Sequence, residues 1–205
     1  MGSEPCVVRE NPRAINEEIE KATKALDFCE IQRVYWEQEE CIIIQPIFLP
    51  AVIEKFLLPE LNQLRRFVHQ NYIPKHKKGG NVSYFVMKEK APAFMALYRN
   101  PVFLDFLSRL VQAPVMVCPE NDPHACALYF FTEPGDHIGF HYDIPYYKGA
   151  RYTVLVGLVQ NSDNCRLVCE LYKAAPHRET LTLDTPTPPV PGIHQREIAE
   201  SPHVY

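Results

Sequence analysis

His141 and Asp143 are the two side chains of this sequence whose types and spacing best suit a chemical role. They are two residues apart, so on a β-strand both side chains leave the same face. A neutral imidazole and a carboxylate placed side by side can take adjacent positions around a divalent metal ion. With one distant histidine they would complete the two-histidine, one-carboxylate set of non-haem iron(II) sites, which leaves coordination positions open. The pair therefore predicts a metal centre.

The residues around the pair favour this interpretation over the more common one, a surface or turn position. An aromatic strand candidate at 125–132 precedes the pair, and Gly135 lies six residues before His141. A loop at 145–149 then leads to an apolar segment at 151–158. The sequence thus predicts two successive strands with the candidate ligands between them.

The first part of the chain, 1–112, is predicted to be mainly helical, because apolar residues recur there at spacings of three and four. Helices are expected at 13–29, 50–72, 91–98 and 102–111, short strands at 40–48 and 82–86, and a basic loop at 74–80.

The second part, 113–184, consists of short β-branched or aromatic segments separated by Pro, Gly, Asp and Asn, which is typical of an antiparallel sandwich or barrel. The tail at 185–205 holds four prolines between 185 and 191 and does not supply the further strands of a barrel. We therefore expect one α+β domain, in which N-terminal helices pack outside a jelly roll that is incomplete at its C-terminal end. Strands are expected at 115–118, 125–132, 137–140, 152–159 and 166–172.

Composition excludes several classes of function. The 205 residues carry a net charge of −4, which argues against general nucleic-acid binding. No apolar run reaches the roughly 18 residues of a membrane span, and charged residues occupy the N-terminus. The seven cysteines are scattered without a Cys-x-x-Cys pair, so free thiols are expected rather than a zinc site or a disulfide framework. A cytoplasmic protein is the expectation.

Five residues of the second part carry a resemblance to a known superfamily. Gly135, His141, Asp143, Arg151 and Thr153 fall in the order seen in 2-oxoglutarate- and iron(II)-dependent dioxygenases of the prolyl-hydroxylase-like type. The resemblance implies a double-stranded β-helix (a jelly roll) with iron(II) bound at His141 and Asp143. It also implies 2-oxoglutarate as cosubstrate, whose oxidative decarboxylation to succinate drives hydrogen abstraction from an unactivated carbon.

A closer resemblance covers 121–129 through 165–170. These segments are similar to a bacterial group akin to the enzymes that hydroxylate or chlorinate free amino acids such as lysine. The likeness implies a small-molecule substrate of that kind. Halogenases of this type carry Gly or Ala at the carboxylate position, whereas this chain has Asp143, so hydroxylation is the expected outcome.

Two further residues are candidates for binding the cosubstrate. Tyr129 could point into the barrel and hydrogen-bond 2-oxoglutarate, or it could be a core aromatic residue. Arg151 could pair with a carboxylate of cosubstrate or substrate, since a guanidinium suits bidentate recognition. An arginine at the start of a strand that bridges to a surface acid is the alternative.

The third metal ligand has two main candidates, His203 and His194. The superfamily places the second histidine on a strand and an arginine beyond it that holds the distal carboxylate of 2-oxoglutarate. Only Val204 and Tyr205 follow His203 here. Read one base later, degenerate codons for 192–202 permit Val-Phe-Ile-Asn-Gly-Lys-Leu-x-Asn-His, which resembles the missing strand, so a frameshift or truncation is one hypothesis.

The sequence leaves three interpretations open. The first is an active hydroxylase whose third ligand is His203 or His194. The second is a catalytically impaired or inactive oxygenase fold that lacks the distal histidine and arginine. The third, a cupin-like jelly roll that binds another metal or none, lacks the usual clustered histidines.

Overall fold

Helices and strands follow one another in blocks along the chain. The computed structural model describes residues 12–44, 52–141, 148–159, 167–171 and 179–183. The α-helices of these ranges are α1 (Pro12–Lys24), α2 (Phe28–Glu37), α3 (Leu58–Leu64), α4 (Tyr84–Lys90), α5 (Pro92–Tyr98) and α6 (Pro101–Val111). A π-helical turn, Ile53–Leu57, leads into α3, and a 3-10 turn, Arg65–Phe67, follows it. The strands are β1 (His69–Ile73), β2 (Lys77–Val82), β3 (Leu128–Phe130), β4 (His137–Ile138), β5 (Leu167–Leu171) and β6 (Glu179–Leu183).

The N-terminal helices form one layer around a shared apolar core. Helix α1 packs against α5 and α6, and its Ile15 and Ile19, four residues apart, are fully buried there. The helix predicted at 13–29 is in fact two helices. The first ends at Lys24, and Asp27 caps the start of the second, because its side chain accepts a hydrogen bond from the Glu30 amide at 3.1 Å.

A buried carboxylate joins two helices of this layer. Glu60 of α3 is only 5% exposed, and its two oxygens accept hydrogen bonds from the amides of Ala93 and Phe94 at 2.8 and 3.1 Å. These amides belong to the first turn of α5, which has no capping side chain of its own. Burial raises the pKa of Glu60, although the two amide hydrogen bonds act in the opposite direction.

Strand β2 is the centre of the main sheet. It pairs antiparallel with β1 along one edge, and both β3 and β4 pair antiparallel with its other edge. Three expectations are wrong: 69–72 is strand rather than helix, most of 74–80 is strand rather than loop, and 84–86 is helix rather than strand. The mainly helical part thus contains a β-hairpin.

The second sheet is the antiparallel pair β5–β6. The expectation of a strand at 166–172 is confirmed by β5, but β6 was not predicted. A thiol contact links this sheet to the segment after α2: Cys41 and Cys169 hydrogen-bond to each other, which lowers the pKa of Cys41 and raises that of Cys169.

The fold class is α+β, with helices and antiparallel sheet as the sequence indicates. Neither sheet closes on itself among the described residues, so a jelly roll is not seen there. The expected strands at 115–118 and 152–159, and the described part of the one at 40–48, have no regular structure, because no partner strand pairs with them in those ranges. The tail at 185–205 lies outside the described residues. No helix within them is long and apolar enough to cross a membrane.

We expect Glu60→Ala to lower the free energy of unfolding by about 1–3 kcal/mol, because it leaves two amides without an acceptor. Glu60→Gln, which keeps one acceptor oxygen, should cost less. The exposed Glu54 provides the control, Glu54→Ala, with a change near zero. Urea denaturation measures all three, and equal stability of the Glu60→Ala and Glu54→Ala variants would contradict the capping role.

The contribution of Glu60 to the stability of the fold should also depend on pH. The pKa of Glu60 is higher in the folded chain than in the unfolded chain, so the folded state holds the proton more tightly. The stability of the wild type relative to Glu60→Gln should therefore be greatest below the ordinary glutamate pKa. It should fall as the pH rises through the raised value. Denaturation curves at a series of pH values would show a constant difference if the carboxyl does not titrate this way.

Candidate metal centre

The start of β2 determines where His141 lies. Strand β4 pairs with β2 through Lys77 with Ile138 and Lys78 with His137. The pairing continues one residue further, because the Gly139 amide donates a hydrogen bond to the His76 carbonyl at 2.6 Å. His141 follows Gly139 by two residues, so its backbone is held close to the start of β2.

A loop at 131–136 separates β3 from β4, and Asp136 organises it. One oxygen of this carboxylate accepts hydrogen bonds from the amides of Thr132 and Glu133, at 2.9 and 3.0 Å. The other lies 3.2 Å from the Lys78 ammonium, which also donates to the Pro134 carbonyl at 2.9 Å. The side chain of Asp136 is 3% exposed. Gly135 adopts a φ of +82°, a left-handed conformation that glycine tolerates at this turn.

The imidazole of His141 is half-buried and held by its own backbone. Its Nδ1 lies 2.7 Å from the Gly139 carbonyl oxygen. A carbonyl oxygen can only accept, so Nδ1 carries the proton and the lone pair is on Nε2. Metal-binding histidines commonly have this arrangement, in which a backbone carbonyl fixes the tautomer and the ring orientation. The tautomer of His141 therefore suits a ligand that binds through Nε2.

His137 shows that this hydrogen bond is not specific by itself. Its Nδ1 lies 2.8 Å from the Gly135 carbonyl, yet the residue is exposed on β4. His137 thus faces solvent. What distinguishes His141 is its partial burial and its place two residues before Asp143.

His76 is a neighbour of His141 that the sequence analysis did not single out. The two imidazole rings meet edge to face, with centroids 5.9 Å apart and planes at 78°. A Cβ added at Gly139 would lie 3.3 Å from the His76 carbonyl oxygen, so a glycine lets the two segments approach. The pairing of β2 with β4 brings His76 here, and no local pattern in the sequence shows such a pairing.

Tyr129 lies on β3 and is half-buried. The Lys77 ammonium lies 4.5 Å from the centroid of its ring, within the range of a cation–π interaction. The ring also stacks with that of Phe131, with 6.4 Å between the two centroids. Tyr129 is therefore neither a core residue nor a plain surface residue, because a charged side chain lies against its ring.

Arg151 is placed by a backbone carbonyl rather than by an acid. Its guanidinium donates to the His124 carbonyl at 3.2 Å. That carbonyl belongs to a turn in which Asp122 accepts a hydrogen bond from the His124 amide at 2.8 Å. Within the ranges that the structure describes, no acidic side chain forms an ion pair with Arg151.

The other predicted ligands lie outside the described residues: Asp143, His194 and His203. Within the described part of the chain, no three His, Cys, Asp or Glu side chains are grouped so that they could hold a metal ion. Of the predicted ligands, the described residues include His141 alone. No protein-family model matches the chain, and a comparison with curated proteins finds no match either.

We expect Asp136→Ala to destabilise the loop that leads to His141. It leaves the amides of Thr132 and Glu133 without their acceptor and Lys78 without its ion-pair partner. The cost should be about 1–3 kcal/mol in the free energy of unfolding. Asp136→Asn keeps an oxygen for the amides and should cost less. The exposed Asp105 of α6 supplies the control, Asp105→Ala. The organising role would be wrong if the Asp136→Ala variant were as stable as this control in urea denaturation.

Proposed function

We propose that this chain is an iron(II)- and 2-oxoglutarate-dependent oxygenase that hydroxylates an unactivated carbon of a small molecule, with a free amino acid as the expected substrate class. The observation that carries the proposal is a half-buried His141 two residues before Asp143, with its Nδ1–H engaged by the Gly139 carbonyl at 2.7 Å. This leaves Nε2 as the nitrogen with ligand character, two residues before a carboxylate. The order of Gly135, His141, Asp143 and Arg151 supports the same function.

The residues have distinct roles in the proposed site. His141 would bind the metal through Nε2, Asp143 through its carboxylate, and His203 is the candidate third ligand. Bound iron(II) with 2-oxoglutarate supplies oxidative decarboxylation coupled to the oxidation of a C–H bond. Tyr129 is the candidate hydrogen-bond donor to the cosubstrate, and Arg151 the candidate partner of a carboxylate. With Asp143 as a ligand, the position that chloride would need would be taken, so the proposed outcome is hydroxylation.

The second function is an inactive or impaired member of the same fold, which lacks the distal histidine and arginine. The sequence favours it through the proline-rich character of 185–205, which does not suggest the strand that would carry a distal histidine. Such a chain would bind iron(II) weakly, because two protein ligands hold a metal less tightly than three. Turnover separates the two functions.

The test is succinate release from 2-oxoglutarate with iron(II) and oxygen, screened over free amino acids. We expect a substrate-dependent rate in the wild type and in His137→Ala, which removes the exposed neighbouring histidine. His141→Ala and Asp143→Ala should both fall to the background rate, because each loses a metal ligand. A wild-type rate equal to that of His141→Ala for every amino acid would contradict the oxygenase and favour the inactive fold.

A further inference from the structure

The main sheet has an apolar face and a polar face. Strand register places Val82 opposite Leu128 and Gly80 opposite Phe130. The side chains of Val82, Leu128 and Phe130 are buried in the core. Because side chains alternate along a strand, Lys77 and Asn81 of β2 leave the other face. Tyr129 lies directly opposite Asn81 and shares that face. The polar face is defined here by its half-buried polar side chains: Asn71, Lys77, Asn81 and Tyr129.

Most of these side chains hold one another in place. Asn71 donates a hydrogen bond to the Asn81 side chain across the β1–β2 pair. Tyr129 stacks with Phe131. Phe131 in turn covers Gly79, where an added Cβ would lie 2.9 Å from its Cδ1 atom. The surroundings of Lys77 are therefore fixed by packing and by an amide pair before any ligand is present.

Lys77 and Lys78 are neighbours with different surroundings. The ammonium of Lys78 forms an ion pair with Asp136 at 3.2 Å. In the described part of the chain, no acidic side chain pairs with Lys77, whose charged group lies over the Tyr129 ring instead. Burial lowers the pKa of Lys77, as expected for an ammonium that has lost water without gaining an anion.

A half-buried ammonium such as that of Lys77 can bind an anion. A cation–π contact compensates only part of the hydration free energy that an ammonium loses on burial. A carboxylate would compensate more of it, because a charge-assisted hydrogen bond is about twice as strong as a neutral one. The hydroxyl of Tyr129 and the side-chain amides of the polar face offer further polar groups of the kind that orient a small ligand.

We propose that Lys77 and Tyr129 form a carboxylate-binding site on the polar face of the sheet. This inference rests on the proposed function, which brings two carboxylates to the chain: the distal carboxylate of 2-oxoglutarate and the α-carboxylate of an amino acid. Lys77 supplies the positive charge, and Tyr129, whose ring lies against the ammonium, supplies a hydroxyl.

The position along β2 agrees with a role beside the metal centre. The strand partner of Lys77 is Ile138, three residues before His141. Three residues of extended chain span about 10 Å. The side chain of Lys77 and a five-carbon dicarboxylate can together cover a distance of that order.

The test uses ligand binding to the metal-free full chain, measured by calorimetry or ligand-observed NMR. Glutarate is the first probe, because it has the distal carboxylate of 2-oxoglutarate but no 2-oxo acid group to chelate a metal. Free amino acids, beginning with lysine, are the second. We expect Lys77→Met to weaken binding of at least one probe roughly tenfold or more, the factor for one charge-assisted hydrogen bond. Lys77→Arg should retain most of the affinity, and Tyr129→Phe should lose a smaller factor.

The matched control is Lys75→Met, which removes an exposed lysine from the preceding turn. Loss of glutarate binding alone assigns the site to the cosubstrate, and loss of amino-acid binding alone assigns it to the substrate. The inference is overturned if Lys77→Met binds every probe as Lys75→Met does, or if the wild type binds none of them. Circular dichroism of each variant shows whether the fold is kept.

Failure of this inference and failure of the proposed function give different results. If succinate release depends on His141 but no probe depends on Lys77, only the carboxylate site is wrong. If glutarate binding depends on Lys77 while the wild type releases no more succinate than His141→Ala, the carboxylate site stands and the oxygenase does not.

Discussion

Strand β2 has no side chain at Gly79 and Gly80, and the two sides of the main sheet depend on this. A Cβ at Gly80 would lie 2.4 Å from Val68 on the core side, and one at Gly79 would lie 2.9 Å from Phe131 on the polar side. Gly79 also has a φ of +155°, which side-chain-bearing residues rarely adopt. The glycine pair thus lets β2 be covered on both faces while it pairs with strands along both edges.

Lys77 and Lys78, the two residues before the glycines, have different partners on the two faces of the sheet. Lys78 reaches Asp136 and fixes the loop that precedes β4, whereas Lys77 lies against Tyr129 on the polar face. Because β4 pairs with these same two residues, His141 and the lysine pair are positioned by one short ladder. The positions of the candidate metal ligand, of the loop before it and of the lysine proposed to bind a carboxylate therefore all follow from the register of one strand.

Local patterns predicted the parts of this fold that local physics determines. Helices α5 and α6 each begin with a proline at the first helical position and keep an apolar face, so their expected ranges were correct within a residue or two. Strand β2 was missed because its lysines and glycines have low strand propensity, and its pairing with β3 joins residues far apart in sequence. His76 beside His141 and Lys77 beside Tyr129 depend on the same pairing. The tautomer of His141 depends on a backbone bond that no residue pattern encodes.

The central claim is that His141 and Asp143 bind one metal ion together, and anaerobic titration with iron(II) tests it most directly. The account predicts one iron(II) per chain for the wild type and for the His137→Ala control. It predicts at least a tenfold loss of affinity in His141→Ala and in Asp143→Ala, since each removes one protein ligand. Equal iron(II) affinity in all four proteins would contradict it, because the metal would then be bound elsewhere or not specifically at all.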